Sequence, residues 1–264
     1  MNIVKILNDK IDDGEKIVLA TVVEKTGDGP LATGGKLLLD ENFNRYGTIA
    51  GGDLELLIIK KCKELFRTKK NELILFNLSS RKIVEKNVSA EMICGGDAKI
   101  FFEYFEPKDN LYIFGGSGNV GKEICKKIEG LDYKLHVIDR INPEFNFDYI
   151  FHNSNDSILG IEFCKNDYII IATGSHRADY EILKKLVESN IEYKYLGMLA
   201  SNKKIDELLG DLKNEINKLP KRIFSPIGLN IGGATPPEIA IAIISQIQTI
   251  KYSVRDIKSL GVIE

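Results

Sequence analysis

The most specific chemical signal in the chain is Gly116-Ser117-Gly118-Asn119-Val120-Gly121. Glycines at these spacings let a strand turn tightly into a helix, let the backbone approach a phosphate, and let helix and strand pack closely. The helix start then presents N–H groups without intrahelical acceptors to an anion. Such a pattern has weight only in the right setting, and the setting is present. The run Leu111-Tyr112-Ile113-Phe114 leads in, and Val120, Ile124 and Ile128 give the next segment a helical stripe. A second apolar run, Leu135–Ile138, ends in Asp139, about twenty residues on, where an acid would accept ribose hydroxyls. Gly116, Gly118, Asn119, Val120, Gly121 and Asp139 are therefore expected to bind NAD, FAD or another adenine nucleotide with a free 2′-hydroxyl. Arg140 beside Asp139 works against that preference, and the glycines have a packing role as the alternative.

Other stretches carry weaker signals. Thr173-Gly174-Ser175-His176-Arg177 follows the apolar run Tyr168–Ala172, and ligands of parallel sheets lie beyond the carboxyl ends of the strands. Thr173 and Gly174 are expected in that cleft. His176 reads as a proton shuttle or phosphate donor, or as a surface residue at a helix start. His136 lies within a strand and reads as structural. The Gly47–Gly52 loop precedes a helix, so Gly51 and Gly52 either hold an anion through exposed amides or form a tight connection. Glu55 is then a ligand-orienting group or a first-turn acid stabilised by the helix dipole. Gly228, Gly232 and Gly233 precede Thr235-Pro236-Pro237-Glu238, which is a capped helix start or a second anion-binding loop.

The cysteines at 62, 94, 125 and 164 form no Cys-x-x-Cys pair and no zinc-finger spacing. Cys94-Gly95-Gly96 is a poor core site, and its thiolate would suit a thiophilic metal. Cys62 and Cys125 fall beside apolar helical positions and read as core residues. Tyr180 and Lys184 have the spacing of a dehydrogenase pair, but directly after a strand-end loop the setting is wrong. No His-Glu-x-x-His and no P-loop occurs.

The elements that must position these residues fall into two sets. Ile3 to Ile11 reads as a helix, Lys16–Val23 as a strand, Lys36–Leu39 and Tyr46–Ile49 as a hairpin. A helix follows Gly52, then strands at Glu72–Asn77 and Lys99–Phe105. This is an α+β domain, 1–107. From 108 to 264 strand-like runs at Leu111–Phe114, Leu135–Ile138, Tyr149–Phe151, Tyr168–Ala172 and Tyr193–Leu196 alternate with helical patterns. That alternation implies a doubly wound parallel sheet, so the expected class is α/β, an α+β domain followed by a Rossmann-like domain. The 264 residues are 44% hydrophobic and 28% charged, with 36 basic against 38 acidic side chains. The interspersed signs exclude the basic footprint of a nucleic-acid binder, and no apolar run is long enough to span a bilayer. With no export signal, a cytoplasmic location is expected.

Several of these stretches, in order, resemble the XdhC/CoxI family of xanthine dehydrogenase accessory proteins. Val18 to Val23 looks like that family's first strand. Gly47-Thr48-Ile49-Ala50-Gly51-Gly52-Asp53-Leu54-Glu55 is similar to its Gly-Thr-Ile-x-Gly-Gly-x-Leu-Glu signature, and Met92 to Gly96 to its Cys-Gly-Gly element. Phe114–Gly121, Thr173–Tyr180, Leu196–Lys204 and Pro226–Ile239 follow its order in the second half. The resemblance implies a maturation factor, more a carrier than an enzyme, that binds molybdenum cofactor and delivers it to a hydroxylase of the xanthine dehydrogenase type. It implies Cys94 as a ligand of the molybdenum, with Gly95, Gly96, Gly51 and Gly52 beside the cofactor, and a cysteine desulfurase as a further partner. A homodimer is the commonest closed assembly. Two departures remove cationic groups: Asp28-Gly29-Pro30-Leu31 stands where members carry Ser-x-Pro-Arg, and Leu199-Ala200-Ser201-Asn202 where they carry Ile-Gly-Ser-Arg. The alternatives are an NAD(P)- or FAD-dependent oxidoreductase, in which His176 would be the catalytic candidate, and a nucleotide-sensing regulatory protein.

Overall fold

The computed structural model describes residues 2–27, 31–77, 83–85, 88–90, 96–153 and 160–257, and the chain divides into two compact units, Met1–Lys108 and Asp109–Glu264. In the first, β1 (Ile17–Lys25), β2 (Lys36–Asp40), β3 (Arg45–Gly47), β4 (Glu72–Asn77) and β7 (Asp97–Phe105) form one antiparallel sheet in the order β3-β2-β1-β7-β4. A small separate pair, β5 (Ile83–Glu85) and β6 (Val88–Ala90), is antiparallel as well. The central strand β1 has apolar residues on both pleat faces, so it is covered twice. Val18, Ala20 and Val22 pack under Leu54, Ile58, Cys62 and Leu65 of α2 (Gly52–Thr68). Ile17 and Leu19 pack under Leu7 of α1 (Ile3–Asp12), whose start is capped by the Asn2 side chain.

The second unit holds a wholly parallel sheet. Its strands are β8 (Asp109–Phe114), β9 (Tyr133–Asp139), β10 (Ile150–Asn153), β11 (Tyr168–Ile171) and β12 (Tyr195–Met198), in the order β10-β9-β8-β11-β12. The helices are α3 (Asn119–Ile128), α4 (His176–Glu188), α5 (Asn202–Ile216) and α6 (Pro236–Lys251). Alternate strand residues face opposite layers: Ile113, Val137 and Ile170 pack with α3 and α6, while Phe114, Ile138 and Ile171 pack with α4 and α5. This is the doubly wound, Rossmann-like arrangement. The strand order reverses between β8 and β11, so the connections from those two neighbours leave on opposite faces and open a crevice at the carboxyl edge.

The last strand begins at Tyr195, two residues later than its apolar pattern suggests, and the connection leading into it holds Tyr193. Its hydroxyl donates to the carbonyl of Arg222 at 2.9 Å. Among the described residues no helix is long and apolar enough to cross a membrane.

Candidate functional site

The crevice between β8 and β11 is built by glycines with three different duties. Gly115 takes the left-handed turn, with φ at +91°, and a methyl there would sit 2.4 Å from the carbonyl oxygen of Ala172. The tight-turn role expected of Gly116 thus belongs to Gly115. The doubled glycine after Phe114 was the available signal. Gly116 is required because Val137 of β9 would lie 2.6 Å from an added methyl. Gly121 is required by the closest approach among the crevice glycines, 2.1 Å to the oxygen of Gly115, so helix and turn pack as the motif demands.

Gly118 differs from the others. Its φ of −70° suits any residue, and the nearest protein atom to an added methyl is the Gly115 oxygen at 3.3 Å. A methyl here would need the Gly115 carbonyl to give by only a few tenths of an ångström. Gly118 and Asn119 are exposed, no side chain caps α3, and its first turn holds no acid. The amides of Asn119, Val120 and Gly121 therefore open the helix without intrahelical acceptors, with the positive end of its dipole toward the crevice.

Asp139 reaches the site by a route that sequence reasoning did not foresee. One oxygen accepts from the amide and hydroxyl of Ser117, at 2.9 and 2.5 Å, and the other accepts from the Arg140 amide at 2.7 Å. The carboxylate ties the end of β9 to the glycine turn, and a ribose hydroxyl would share it with Ser117.

Across the crevice, the Thr173 loop also turns inward. The Thr173 amide and hydroxyl both donate to Asp179, at 3.2 and 2.6 Å, and Lys204 of α5 donates to the other Asp179 oxygen at 2.7 Å. Asp179 is fully buried, and a buried carboxylate needs such partners. Thr173 thus braces the loop against Asp179 at the edge of the crevice. Exposed Gly174, with φ at +73° and open space around it, is the part of the loop that faces outward. His176 is the first residue of α4, exposed, its Nε2 3.9 Å from a carboxylate oxygen of Glu207 on α5. Tyr180 and Lys184 lie along α4, where Lys184 pairs with Glu215 of α5 at 2.7 Å. That pairing places the lysine on the helical layer, outside the crevice.

Two histidines form a further constellation away from the crevice. His136 Nδ1 lies 2.9 Å from His152 Nε2, and its ring stacks on Tyr112 at 4.4 Å between centroids. Burial, reinforced by His152 and Lys134, pushes the His136 imidazole down to about 4. It is neutral at pH 7 and packs as a structural residue.

In the first unit the Gly47–Gly52 loop is already filled. One Glu55 oxygen accepts from the amides of Ile49, Ala50 and Gly51 at 3.1, 3.3 and 3.1 Å and from the Thr48 hydroxyl, while Arg45 pairs with the other oxygen. Burial pushes the Glu55 carboxyl up, but the Thr48 hydroxyl and the three amides outweigh it and hold it below the usual range. The loop does bind an anion, and the anion is its own. The Gly51 amide is thus already engaged by Glu55, the arrangement of a tight connection. Gly52 supplies a left-handed φ of +59° at the start of α2.

Cys94 and Gly95 lie outside the described residues. Gly96 is a packing glycine: with φ at +118°, an added methyl would fall 1.9 Å from the oxygen of Thr26. Cys62 and Cys125 are fully buried, and burial pushes each thiol up to about 12. They are core residues. Among the described residues no cluster of His, Cys, Asp and Glu is arranged to hold a metal.

Comparison with known proteins agrees with this architecture. Residues 111–247 match the model of the XdhC Rossmann domain, and residues 11–77 match that of the XdhC and CoxI family. An uncharacterised protein of Escherichia coli K12, YqeB, is 26% identical over 88% of the chain, which spans 43% of YqeB. A Bacillus subtilis protein named as a probable xanthine dehydrogenase component is 26% identical over 56% of the chain, the match spanning 44% of that protein. The chain thus spans less than half the length of these curated relatives. A crystal structure from Bacillus halodurans, described as a xanthine dehydrogenase, shares the fold with a TM-score of 0.50 at 20% identity, covering 98% of each chain.

Proposed function

Because the chain belongs to the XdhC and CoxI family, we propose that it is an accessory protein of a molybdenum hydroxylase of the xanthine dehydrogenase type. In this reading it carries molybdenum cofactor as cargo and transfers it to that enzyme, with a cysteine desulfurase as the source of sulfur for the metal. One relative is named as a probable xanthine dehydrogenase component, which supports the partner class.

The observation that carries the cargo reading is the exposed Gly118–Asn119 tip, a helix start with no internal acid and with room for close approach. Its amides suit a phosphate, the anionic group through which a pterin cofactor or a nucleotide would be held. The Gly47–Gly52 loop does not fit that role, since Glu55 occupies its amides. The thiolate role of Cys94 rests on the family resemblance and on the affinity of a soft donor for molybdenum.

A second reading, a nucleotide-sensing protein, is favoured by Asp139 at the end of β9 beside the glycine turn. In that reading a bound adenine nucleotide would alter association with the partner.

The test is to mix the purified protein with molybdenum cofactor without oxygen, pass it through a desalting column, and measure retained molybdenum. Wild type should retain it, Cys94→Ser should lose most of it, and Gly118→Val should weaken it by blocking the phosphate. Absence of retention by wild type, alongside saturable binding of an adenine nucleotide, would replace the cargo reading with the sensing one.

A further inference from the structure

At the amino edge of the parallel sheet, opposite the crevice, lies a cavity of about 480 Å³ lined by Ile191, Tyr193, Leu196, Phe224 and a set of charged residues. Three chain segments arrive there side by side. Lys165 precedes β11, Lys194 precedes β12, and Lys221 and Arg222 precede Phe224, which forms a parallel bridge to Gly197. Parallel strands put every lead-in residue on the same edge, so four cations converge on one mouth.

Their pairing is lopsided. Among the described residues Glu192 is the one acid lining the cavity, and it meets Lys221 at 3.5 Å. Among those same residues no carboxylate pairs with Lys165, Lys194 or Arg222. Arg222 instead lies over the Phe224 ring, 4.6 Å from its centroid, and Lys194 over Tyr168 at 5.3 Å. The Tyr193 hydroxyl is pinned from both sides, donating to the Arg222 carbonyl at 2.9 Å and accepting from its amide at 3.3 Å. The chain as a whole is slightly acidic, at −2, so this concentration of positive charge is local.

We propose that this cavity is a docking seat for an acidic segment of a protein partner, which sets an apolar side chain on the floor and carboxylates against the rim. The floor decides the class of occupant. Ile191, Leu196 and Phe224 offer nothing to a small inorganic anion, whereas an apolar centre ringed by polar and charged groups is the anatomy of a protein interface, and the excess of cations on this rim calls for an acidic partner. Rim cations raise the encounter rate and set partner choice, and reversing two of them puts like charge against the segment's carboxylates, which lowers affinity as well. The four residues of β11 place the two sheet edges about 13 Å apart. A partner held here leaves the glycine crevice open. The inference stands apart from what that crevice carries, and would hold for cargo transfer and for nucleotide sensing alike.

The test is selection of a displayed random-peptide library on the full-length wild type, with parallel selection on Lys194→Glu/Arg222→Glu. Both substitutions are exposed, and matched thermal melts confirm that the variant is folded. Peptides enriched on wild type should carry Asp or Glu flanking an aromatic or branched apolar residue. Measured by fluorescence anisotropy, their affinity should fall about tenfold or more in the double variant and weaken from about 50 to 500 mM salt. Inorganic pyrophosphate at about 1 mM, an anion of the kind the crevice amides would take, should leave the peptide bound. Enriched peptides without net negative charge, equal affinity for the double variant, or displacement by pyrophosphate would each overturn the proposal.

Discussion

Gly121 and Gly118 are three residues apart in one motif, and the structure assigns them opposite consequences when each is changed to alanine. At Gly121 the new methyl would lie 2.1 Å from the Gly115 oxygen and 2.8 Å from the Gly116 α-carbon. Ordinary contact between these atoms needs more than 3 Å, and both obstacles are backbone that cannot swing aside. The helix must therefore withdraw by on the order of 1 Å, an overpacking cost of about 3 kcal/mol. For a unit of this size that corresponds to a Tm lower by roughly 6–12 °C. At Gly118 the nearest atom is 3.3 Å away and φ is already −70°. The main cost there is alanine in place of glycine at the helix cap, no more than about 1 kcal/mol, so its Tm should drop by about 4 °C or less. The assay is a thermal melt of both variants by circular dichroism, followed by titration of each with an adenine nucleotide. Gly121→Ala should lose stability first, while Gly118→Ala should lose affinity while remaining folded. If Gly121→Ala melted within about 2 °C of wild type, a range set by the same scaling, the close-packing argument would be wrong. If Gly118→Ala were destabilised as strongly, its space would belong to the fold and not to a ligand.

Two further outcomes follow from the buried carboxylates. Glu55→Ala should destabilise the first unit by about 3 kcal/mol or more, because three loop amides and a hydroxyl lose their acceptor. Since the folded Glu55 carboxyl is held below its ordinary 4.5, its charge stabilises above that pH, and the contribution is lost as the pH falls through the lowered folded value. Urea midpoints of wild type and Glu55→Gln should therefore converge on acidification, and a constant difference from neutral to acid would contradict the assignment. Lys204→Met leaves Asp179 buried without its counter-charge and should cost about 3–5 kcal/mol, most of it recovered in Asp179→Asn/Lys204→Met. Equal urea stability of the single and double variants would show that the pair is uncoupled.

The parts of this structure that follow local rules could be read from the chain. Alternation in the second half marks the strands and the sense of their sheet, and double-sided apolar patterning in Ile17–Val22 marks a strand covered twice. What escaped were contacts between residues distant in sequence. Asp179 meets Lys204 across 25 positions, and no periodicity reports a partner. A weaker signal was present nonetheless. Asp179 lies on the same helical stripe as Ile182, Leu183, Leu186 and Val187, and a carboxylate on a buried stripe must find a cation or several donors. Glu55 sits in the same way one turn before Ile58 and two before Cys62. Gly115 escaped for another reason. Its duty is set by the backbone of Ala172 on a different strand, which no local spacing encodes.

Three loops with two or more glycines lead into helices in this chain, and for each the sequence pattern leaves an anion site open as one of two readings. What separates them is whether an acid in the first turn can reach back to the loop. In α2, Glu55 does so and takes the amides of Ile49, Ala50 and Gly51. In α6, Glu238 does so and takes the amides of Ala234 and Thr235 at 3.0 and 2.9 Å, bonds that also hold its carboxyl below the usual range. The capping-box reading of that loop is therefore the physical one. In α3 the first turn is Asn119-Val120-Gly121, with no acid at all. The nearest carboxylate, Asp139, binds Ser117 at the base of the turn and leaves the tip exposed. An internal carboxylate at effectively fixed proximity would outcompete an external phosphate for the same donors, so the two filled loops are closed to ligands by construction. By this argument, introducing an acid into the first turn of α3, as in Val120→Glu, should close the third in the same way. Val120 packs at the margin of the core, so a matched thermal melt accompanies the titration, and the folded variant should lose phosphate-dependent binding. Retention of full affinity for an adenine nucleotide by Val120→Glu would mean that the helix start does not hold the anion.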